Sequence, residues 1–387
     1  MSILGVYNPV NIELDHGDGV YLYSKDGTRY LDFTSGIGVT CLGHSHPSLV
    51  NALKDQSEKL WHCSNLFKIN GQEMVAKRIV KNSFASSVFF CNSGTESIEA
   101  GIKVVRKYFN SKDSKKYKII CAKNSFHGRT YAAISTSGKS KLTDGYFPIL
   151  KGFEQVEFNN IKDLKKKIDN ETAAIMIETI QGEGGIIPAK KQYLKDVQKI
   201  AKDYGLLLYF DEVQCGVGRT GKFLATEWVE ELRPNLVSIA KGIGGGFPLG
   251  ALLLDSKTSK VMKHGAHGST FGGNPLSMAI ANEVLNFVLD ADFLDNIREV
   301  GYNMRQLIKS EIIERFPKLL SGIRGVGLMI GIECIQKNET LINAMIKKKL
   351  LTVRAGQNVI RILPPLILEM KHVDEAINKM TKAFESL

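Results

Sequence analysis

The stretch Val237-Ser-Ile-Ala-Lys241-Gly-Ile-Gly-Gly-Gly-Phe-Pro-Leu-Gly250 places a single lysine between an apolar run and a glycine-rich loop. The apolar run is typical of a buried strand, and a lysine is seldom buried there without a partner or a function. One interpretation is that the side chain reaches out to water. The other is a Schiff-base lysine, an amine that loss of solvent turns into a nucleophile. The glycines between 242 and 246 favour the second, because they leave room for a flat, bulky group beside the amine.

A second apolar run, Leu206-Leu-Leu-Tyr-Phe-Asp211, ends in a carboxylate. In a parallel sheet such a run delivers an acid to the cleft at the carboxyl ends of the strands. An isolated aspartate at this place would more often be a helix N-cap. Two strands that end in Asp211 and Lys241 change the interpretation, because pyridoxal 5'-phosphate (PLP) needs a lysine for its aldehyde and a carboxylate for its ring nitrogen.

A phosphate site is a candidate at the segment Asn92-Ser-Gly-Thr-Glu96, which follows the predicted strand 88–91 and precedes the predicted helix 98–109. The free amides of a helix N-terminus bind phosphate well. The same residues also fit an ordinary capping box between Ser93 and Glu96. Read alone, the segment supports both interpretations equally.

Further motifs follow in a fixed order along the chain, and together with those above they resemble the class III aminotransferases, most closely the acetylornithine aminotransferases. The resemblance covers nearly the whole chain. It implies an α/β protein with the fold-type I architecture of PLP-dependent transferases: a large domain with a mostly parallel sheet and a smaller α+β domain. The matching segments are Asn92-Ser-Gly-Thr-Glu96, Phe126-His-Gly-Arg-Thr130, Gln181-Gly-Glu-Gly-Gly185, Phe210-Asp-Glu-Val-Gln-Cys-Gly-Val-Gly-Arg-Thr-Gly221, Ala240-Lys-Gly242, Gly268-Ser-Thr-Phe-Gly-Gly-Asn-Pro275 and Arg361-Ile-Leu-Pro-Pro365.

The resemblance implies roles around the cofactor ring. Lys241 and Asp211 would be catalytic: the lysine anchors PLP and then moves protons, and the aspartate keeps the ring nitrogen protonated. Phe126 and Val213 would cover the two faces of the ring. Gln214 would hydrogen-bond its phenolic oxygen.

The resemblance also implies a phosphate cradle made by Ser93, Gly94 and Thr95, and it includes His127 among the cofactor-binding residues. Thr270 would reach the phosphate of the neighbouring subunit's cofactor. A homodimer with shared active sites is therefore expected.

Substrate recognition is expected to need arginine, whose planar guanidinium binds a carboxylate through two hydrogen bonds. In the related enzymes, the arginine that matches Arg129 holds the substrate carboxylate far from the reacting amine. The one that matches Arg361 binds 2-oxoglutarate, and Glu183 would pair with it while the amino donor is bound. As lone residues, both arginines would more often be surface ion pairs.

Two positions depart from relatives. Ile37 replaces a tyrosine of ornithine aminotransferases whose hydroxyl receives the free α-amino group, and Thr179 replaces a common proline. We therefore expect transfer from N2-acetylornithine to 2-oxoglutarate in two half-reactions, with N-succinyl-diaminopimelate or ornithine as alternative donors.

Two other function classes would also use some of these residues. A dinucleotide-dependent oxidoreductase could use the glycines at 242–246, but they lead into Pro248 and a strand where the fingerprint requires a helix. A PLP-binding protein without catalysis is opposed by the complete set of Lys241, Asp211, Arg129 and Arg361.

Composition limits the remaining possibilities. The 387 residues suggest two domains, and we place their boundaries at 1–54 and 286–387 for the small domain and 55–285 for the large one. The net charge of +11 raises nucleic acid as a partner, yet the lysine clusters have no interleaved aromatic residues, so small-molecule substrates are expected and nucleic acid is not. No membrane span or targeting segment is indicated, and a cytoplasmic enzyme with reduced cysteines is expected.

His44 and His46 lack a third ligand at a telling spacing, so no metal is expected.

Overall fold

The computed structural model describes residues 2–138 and 140–387. The strands are β1 Leu14–Asp18, β2 Tyr21–Ser24, β3 Arg29–Asp32, β4 Ser87–Cys91, β5 Lys118–Ala122, β6 Phe153–Val156, β7 Thr172–Glu178, β8 Ile180–Gln181, β9 Ile187–Pro188, β10 Leu207–Asp211, β11 Leu236–Ile239, β12 Gly250–Leu254, β13 Leu320–Val326, β14 Met329–Cys334, β15 Leu350–Leu351, β16 Val353–Ala355 and β17 Val359–Ile362.

The helices cover both faces of the largest sheet and the surface of the smaller ones. The α-helices are α1 Ser35–Gly38, α2 Pro47–Ser57, α3 Gln72–Lys81, α4 Gly94–Asn110, α5 Tyr131–Thr136, α6 Ser140–Thr143, α7 Ile161–Lys167, α8 Lys191–Asp203, α9 Ser256–Ser259, α10 Pro275–Val288, α11 Ala291–Leu307, α12 Asn338–Lys347 and α13 Met370–Phe384. Short 3₁₀ turns span Ala225–Trp228 and Lys241–Gly244, and a π-helical turn, Ile308–Ile313, continues α11.

The central sheet has the strand order β4-β12-β11-β10-β7-β5-β6 within the described residues. Strand β12 runs antiparallel to both of its neighbours, and the other pairings are parallel. Apolar runs in the sequence predict six strands of a mostly parallel sheet, at 88–91, 118–121, 173–177, 206–210, 236–240 and 249–254. These strands and the mostly parallel arrangement are confirmed, whereas the edge strand β6 was not predicted. Because the parallel strands end at one edge, β10 and β11 bring Asp211 and Lys241 to the same side of the sheet.

Both faces of the central sheet are buried, which explains its continuous apolar strands. Along β10, Leu208 and Phe210 belong to one core cluster, whereas Leu207 and Tyr209 belong to another on the opposite face. Successive side chains of a strand point to opposite faces, so each run fills two cores at once.

The two ends of the chain meet in the smaller sheets. Strand β15 pairs in parallel with β3, where Leu350 lies opposite Leu31 and Leu351 opposite Asp32. The alternating runs 20–23 and 30–33, separated by Asp26 and Gly27, predict a small antiparallel ribbon, which the β2–β3 pairing confirms. Strand β13 was not predicted. The division at residues 54 and 285 stays a prediction, and these positions lie within α2 and α10. Among the described residues, no helix combines the length and apolarity that crossing a bilayer would require.

Candidate active site

Lys241 follows β11 and begins a 3₁₀ turn, in which its backbone adopts a φ of 51°. A positive φ is uncommon for a residue with a side chain and is often found at functional sites. The lysine lines a cavity at the carboxyl edge of the sheet. Loss of solvent lowers the pKa of its amine to about 8, and the nearby positive charge of Arg361 adds to this effect, while the carboxylates of Glu183, Asp211 and Glu178 oppose it. Near neutral pH, a sizeable fraction of the amine is therefore unprotonated.

Asp211 ends β10 and is 5% exposed. Its Oδ2 lies 2.7 Å from Nδ1 of the buried His127, and its Oδ1 accepts the backbone N–H of Val213 at 2.9 Å. A buried carboxylate needs such partners, and both hydrogen bonds fix its orientation. Asp211 therefore presents an oriented carboxylate at the wall of the cavity.

The N-terminus of α4 lies at the same edge of the sheet, because β4 and β11 are both antiparallel to β12 and therefore run in the same direction. Ser93 is the N-cap, and its Oγ accepts the N–H of Glu96 at 3.3 Å, while the Glu96 carboxylate accepts the N–H of Asn92 at 2.7 Å. Ser93 therefore caps the helix, but the reciprocal bond of a capping box is not formed, because Glu96 binds the N–H of Asn92 and not that of Ser93. The cap does not use the amides of Gly94 and Thr95, two residues of the first turn that line the cavity. The capping and phosphate-binding interpretations are compatible.

A side chain at position 94 would prevent the close approach of the α4 N-terminus to Val213. A Cβ atom added to Gly94 would lie 2.6 Å from Cγ1 of Val213, far inside van der Waals contact. The glycine therefore allows the helix N-terminus and Val213 to share one wall of the cavity.

The cavity has a volume of about 320 Å³, which lies within the usual range for small-molecule sites. An amine, a fixed carboxylate and a helix N-terminus converge on it, and these are the groups that the aldehyde, ring nitrogen and phosphate of PLP require. The residues present therefore fit PLP. The predicted residues that line the cavity are Ser93, Gly94, Thr95, Phe126, His127, Glu183, Asp211, Val213, Gln214 and Lys241.

Arg361, on β17, is 2% exposed and lies beside this cavity. Its Nη1 donates a hydrogen bond to Glu183 Oε1 and another, at 3.2 Å, to Gln214 Oε1. The Glu183 side chain is 32% exposed, so it can turn toward solvent, whereas the arginine cannot. A buried guanidinium without its partner would carry an unpaired charge, so removal of Glu183 prepares a site for another carboxylate.

Besides Arg361, three predicted residues lie outside the cavity lining. Arg129 is exposed, with its guanidinium 5.7 Å from the centre of the Phe126 ring. Thr270 is exposed on the loop before α10. Ile37 is 39% exposed and has a φ of 67° within α1, next to Gly38, at which an added Cβ would lie 3.9 Å from Gln214 Cγ. Their roles toward substrate or cofactor stay predictions.

Glu178 lines the cavity but was not predicted. It ends β7 beside Asp211, its register partner on β10. The signal that identified Asp211, an apolar strand that ends in a carboxylate, is also present in the run from Ala173 to Glu178. The described residues contain no cluster of three or more His, Cys, Asp or Glu side chains able to hold a metal ion.

Comparison with known proteins identifies the family. The family described as aminotransferase class-III matches residues 5–384. An acetylornithine aminotransferase from Brucella melitensis biotype 1 is 45% identical over 382 residues, which cover 98% of this chain and 94% of the relative.

Two solved structures show the same fold. The N-acetylornithine aminotransferase from Stenotrophomonas maltophilia K279a has a TM-score of 0.85 and 33% identity and is matched over 98% of this chain and 96% of its own. The ornithine aminotransferase from Toxoplasma gondii, a structure described as having partial occupancy of PLP at the active site, has a TM-score of 0.94 and 28% identity, with 100% and 92% covered. These similarities, together with a cavity that fits PLP, show that the chain belongs to the class III aminotransferases and is a PLP-dependent enzyme.

Proposed function

We propose that this enzyme transfers the terminal amino group of N2-acetylornithine to 2-oxoglutarate and so forms N-acetylglutamate 5-semialdehyde and glutamate. Relatives that are 42–46% identical over nearly the whole chain carry the name acetylornithine aminotransferase. That similarity supports the choice of donor.

The observation that carries the proposal is the pair formed by Arg361 and Glu183 at the edge of the cavity that holds Lys241. The two half-reactions place different groups at this position. With Glu183 in place the arginine is neutralised, which suits a donor that brings no carboxylate there. With Glu183 turned away, the guanidinium can bind the carboxylate of 2-oxoglutarate through two hydrogen bonds.

When bound, PLP supplies an electron-withdrawing ring that stabilises negative charge on the substrate carbon. The residues of the chain do the rest. The Lys241 amine holds the cofactor before substrate arrives and then, as a neutral base at Nζ, moves the proton of the reacting carbon. Asp211 fixes positive charge at the ring nitrogen, and Phe126 and Val213 restrain the ring from the walls of the cavity.

We attribute the preference for an acylated amino donor over free ornithine to Ile37. Free ornithine would place an ammonium group beside an apolar side chain that cannot accept a hydrogen bond from it, which disfavours this donor. An acylated donor has no such charge. N-succinyl-diaminopimelate shares this advantage and remains the alternative donor, and Arg129 would bind the distal carboxylate of either.

We further propose a homodimer with shared active sites, in which Thr270 reaches the partner's cofactor phosphate. Support comes from an exposed apolar surface beside Thr270, made of Trp61, Leu66, Phe67 and Phe271, which are between 58% and 87% exposed. Asn65 ties this surface together by donating hydrogen bonds to the carbonyls of Ser269 and Gly272. Contiguous apolar patches of this kind mark interfaces. Cytoplasm is the compartment that suits the six free cysteines.

Steady-state assays with N2-acetylornithine, N-succinyl-diaminopimelate and ornithine, each with 2-oxoglutarate, test the donor. We expect kcat/KM to be highest for acetylornithine and lowest for ornithine. Ile37→Tyr should shift the ratio toward ornithine, whereas Ile37→Phe, which adds the ring without the hydroxyl, should not. Equal rates with ornithine and acetylornithine in the parent enzyme would reject the proposal.

A further inference from the structure

Glu178 joins two segments of the active site through its carboxylate. One oxygen accepts the backbone N–H of Phe126 at 3.0 Å, and the other accepts the backbone N–H of Gly182 at 3.0 Å. The side chain is 5% exposed and lines the cavity. Because the oxygens belong to one rigid group, the two backbone segments are held at a fixed separation.

Each segment carries residues of the reaction. The first continues from Phe126, at the cavity wall, into His127, which holds Asp211. The second continues from Gly182 into Glu183, the partner of Arg361. The second segment is also tightly packed, since a Cβ atom on Gly182 would lie 2.2 Å from the side-chain oxygen of Gln214.

We propose that Glu178 is a positioning residue that holds the wall of the cofactor cavity and the backbone of the Glu183 turn in one arrangement, so that only the Glu183 side chain moves between half-reactions. The inference rests on the proposed function for the role of Glu183 and Arg361 toward 2-oxoglutarate. It assigns Glu178 no contact with reacting atoms.

The chemistry of the position favours a carboxylate. Only a carboxylate offers two equivalent acceptor oxygens, whereas a glutamine amide would turn an NH₂ group toward one of the two N–H donors. Burial raises the pKa of Glu178 to about 7; the neighbouring Asp211 acts in the same direction, and His127 and the two backbone N–H groups oppose the shift. The two backbone N–H groups therefore stabilise the charged form of this buried acid, the form that accepts both hydrogen bonds.

Glu212 provides a matched control on the neighbouring strand end. It is 0% exposed and accepts the backbone N–H of Ala225 at 2.5 Å and of Thr226 at 2.7 Å. Burial also raises its pKa to about 7. It therefore has the same kind of double hydrogen bond as Glu178, but it lies outside the cavity lining.

The test compares Glu178→Gln with Glu212→Gln by amide hydrogen exchange, on the full chain with PLP bound and again after PLP is removed. Loss of an acceptor should speed exchange at Phe126, at Gly182 or at both by about tenfold to a hundredfold in Glu178→Gln. In Glu212→Gln, faster exchange should be confined to the segment 225–226. Unchanged exchange at both Phe126 and Gly182 in a folded Glu178→Gln protein would overturn the inference.

Single-turnover reactions supply the second readout. We expect kcat/KM for 2-oxoglutarate to fall about tenfold or more in Glu178→Gln and to stay within about twofold of the parent in Glu212→Gln. Equal losses in the two variants would show a general structural role and overturn the inference. If Glu178→Gln fails to fold, Glu178→Asp, which keeps both oxygens on a shorter side chain, is expected to show the same pattern. A parent enzyme inactive with 2-oxoglutarate would instead reject the proposed function, and the exchange comparison would still test Glu178.

Discussion

His127 Nδ1 lies 2.7 Å from Asp211 Oδ2, and both side chains are buried. Since the carboxylate can only accept, this contact places a proton on Nδ1 of the imidazole. The second carboxylate oxygen is held by the N–H of Val213. The orientation of the aspartate is therefore fixed before any cofactor binds.

Removal of the hydrogen bond from His127 should leave the Asp211 carboxylate less firmly oriented and so reduce its effect on the reaction. In His127→Phe we expect kcat to fall by about tenfold to a hundredfold, the range for a hydrogen bond to a charged group. Stopped-flow absorbance with each substrate would measure it. The control is His372→Phe, which breaks a hydrogen bond to the N–H of Glu369 at the start of α13; an equal loss in this variant would contradict the assignment.

Covalent attachment of PLP is expected at Lys241. Reduction with borohydride followed by peptide mass spectrometry should find the cofactor on this residue, and Lys241→Ala should remove it while the fold is kept. Lys260→Ala changes an exposed lysine on α9's C-terminal side and should retain full labelling. Labelling of any other lysine as the main product would contradict the prediction.

The raised pKa of Glu212, about 7 in the folded chain, makes stability depend on pH. Below about pH 4.3, the ordinary pKa of a glutamate, both states bind the proton. Between that value and pH 7 the unfolded chain releases it while the folded chain keeps it, so the free energy of unfolding should fall as pH rises. Urea titrations from pH 4 to 8 should show this loss in the parent, and a shallower loss in Glu212→Gln. Parallel curves would disprove the linkage.

Arg361→Ala should slow the half-reaction with 2-oxoglutarate much more than the half-reaction with the amino donor. Without the guanidinium, the reaction with 2-oxoglutarate should slow by about a hundredfold or more, and that with acetylornithine by much less, because only the oxo acid requires two hydrogen bonds there. Single-turnover absorbance distinguishes the two. Arg354→Ala, an exposed arginine on the adjacent strand β16, should leave both rates unchanged. Equal losses in the two half-reactions of Arg361→Ala would count against its role in acceptor binding.

Mixed dimers test the shared site. Thr270→Glu would place a carboxylate near the partner's phosphate, and Lys241→Ala removes the cofactor anchor, so each variant alone should be inactive. A dimer with one chain of each kind should regain activity, because one of its two composite sites is intact. Affinity tags of two types would isolate this species, and background activity in it would refute an action of Thr270 across the interface.

Sequence patterns predicted the positions of most strands, because continuous apolar runs mark a sheet that is buried on both faces. They did not reveal the direction of β12, since an apolar run reads the same in a parallel and an antiparallel strand. They also missed β6, a short edge strand with Glu154 and Gln155, and β13, which contains Gly322 and Gly325. Polar and glycine residues weaken the pattern at such edges.

Part of the site could be predicted from residue type and position alone. Lys241 and Asp211 stand out because a charged group at the end of an apolar strand requires an explanation. Glu178 was missed although its strand also ends in a carboxylate, because one of its two partners, the N–H of Phe126, lies 52 residues away in sequence. Arg129, Ile37 and Thr270 lie outside the cavity lining, so their contribution depends on substrate or on a second subunit.

The pairing of β4 with β12 sets an order for synthesis of the protein. Strand β4 leads directly into the residues Ser93 to Thr95, yet its sheet neighbour ends at Leu254, more than 160 residues later. The partner of β3, strand β15, follows it at an even greater distance along the sequence. While the ribosome makes the intervening segments, both edges are unpaired and open to mispairing. The sheet edge beside the residues Ser93 to Thr95 therefore stays unpaired until β12 has been made, so the cofactor pocket cannot be completed before about two thirds of the chain has been translated.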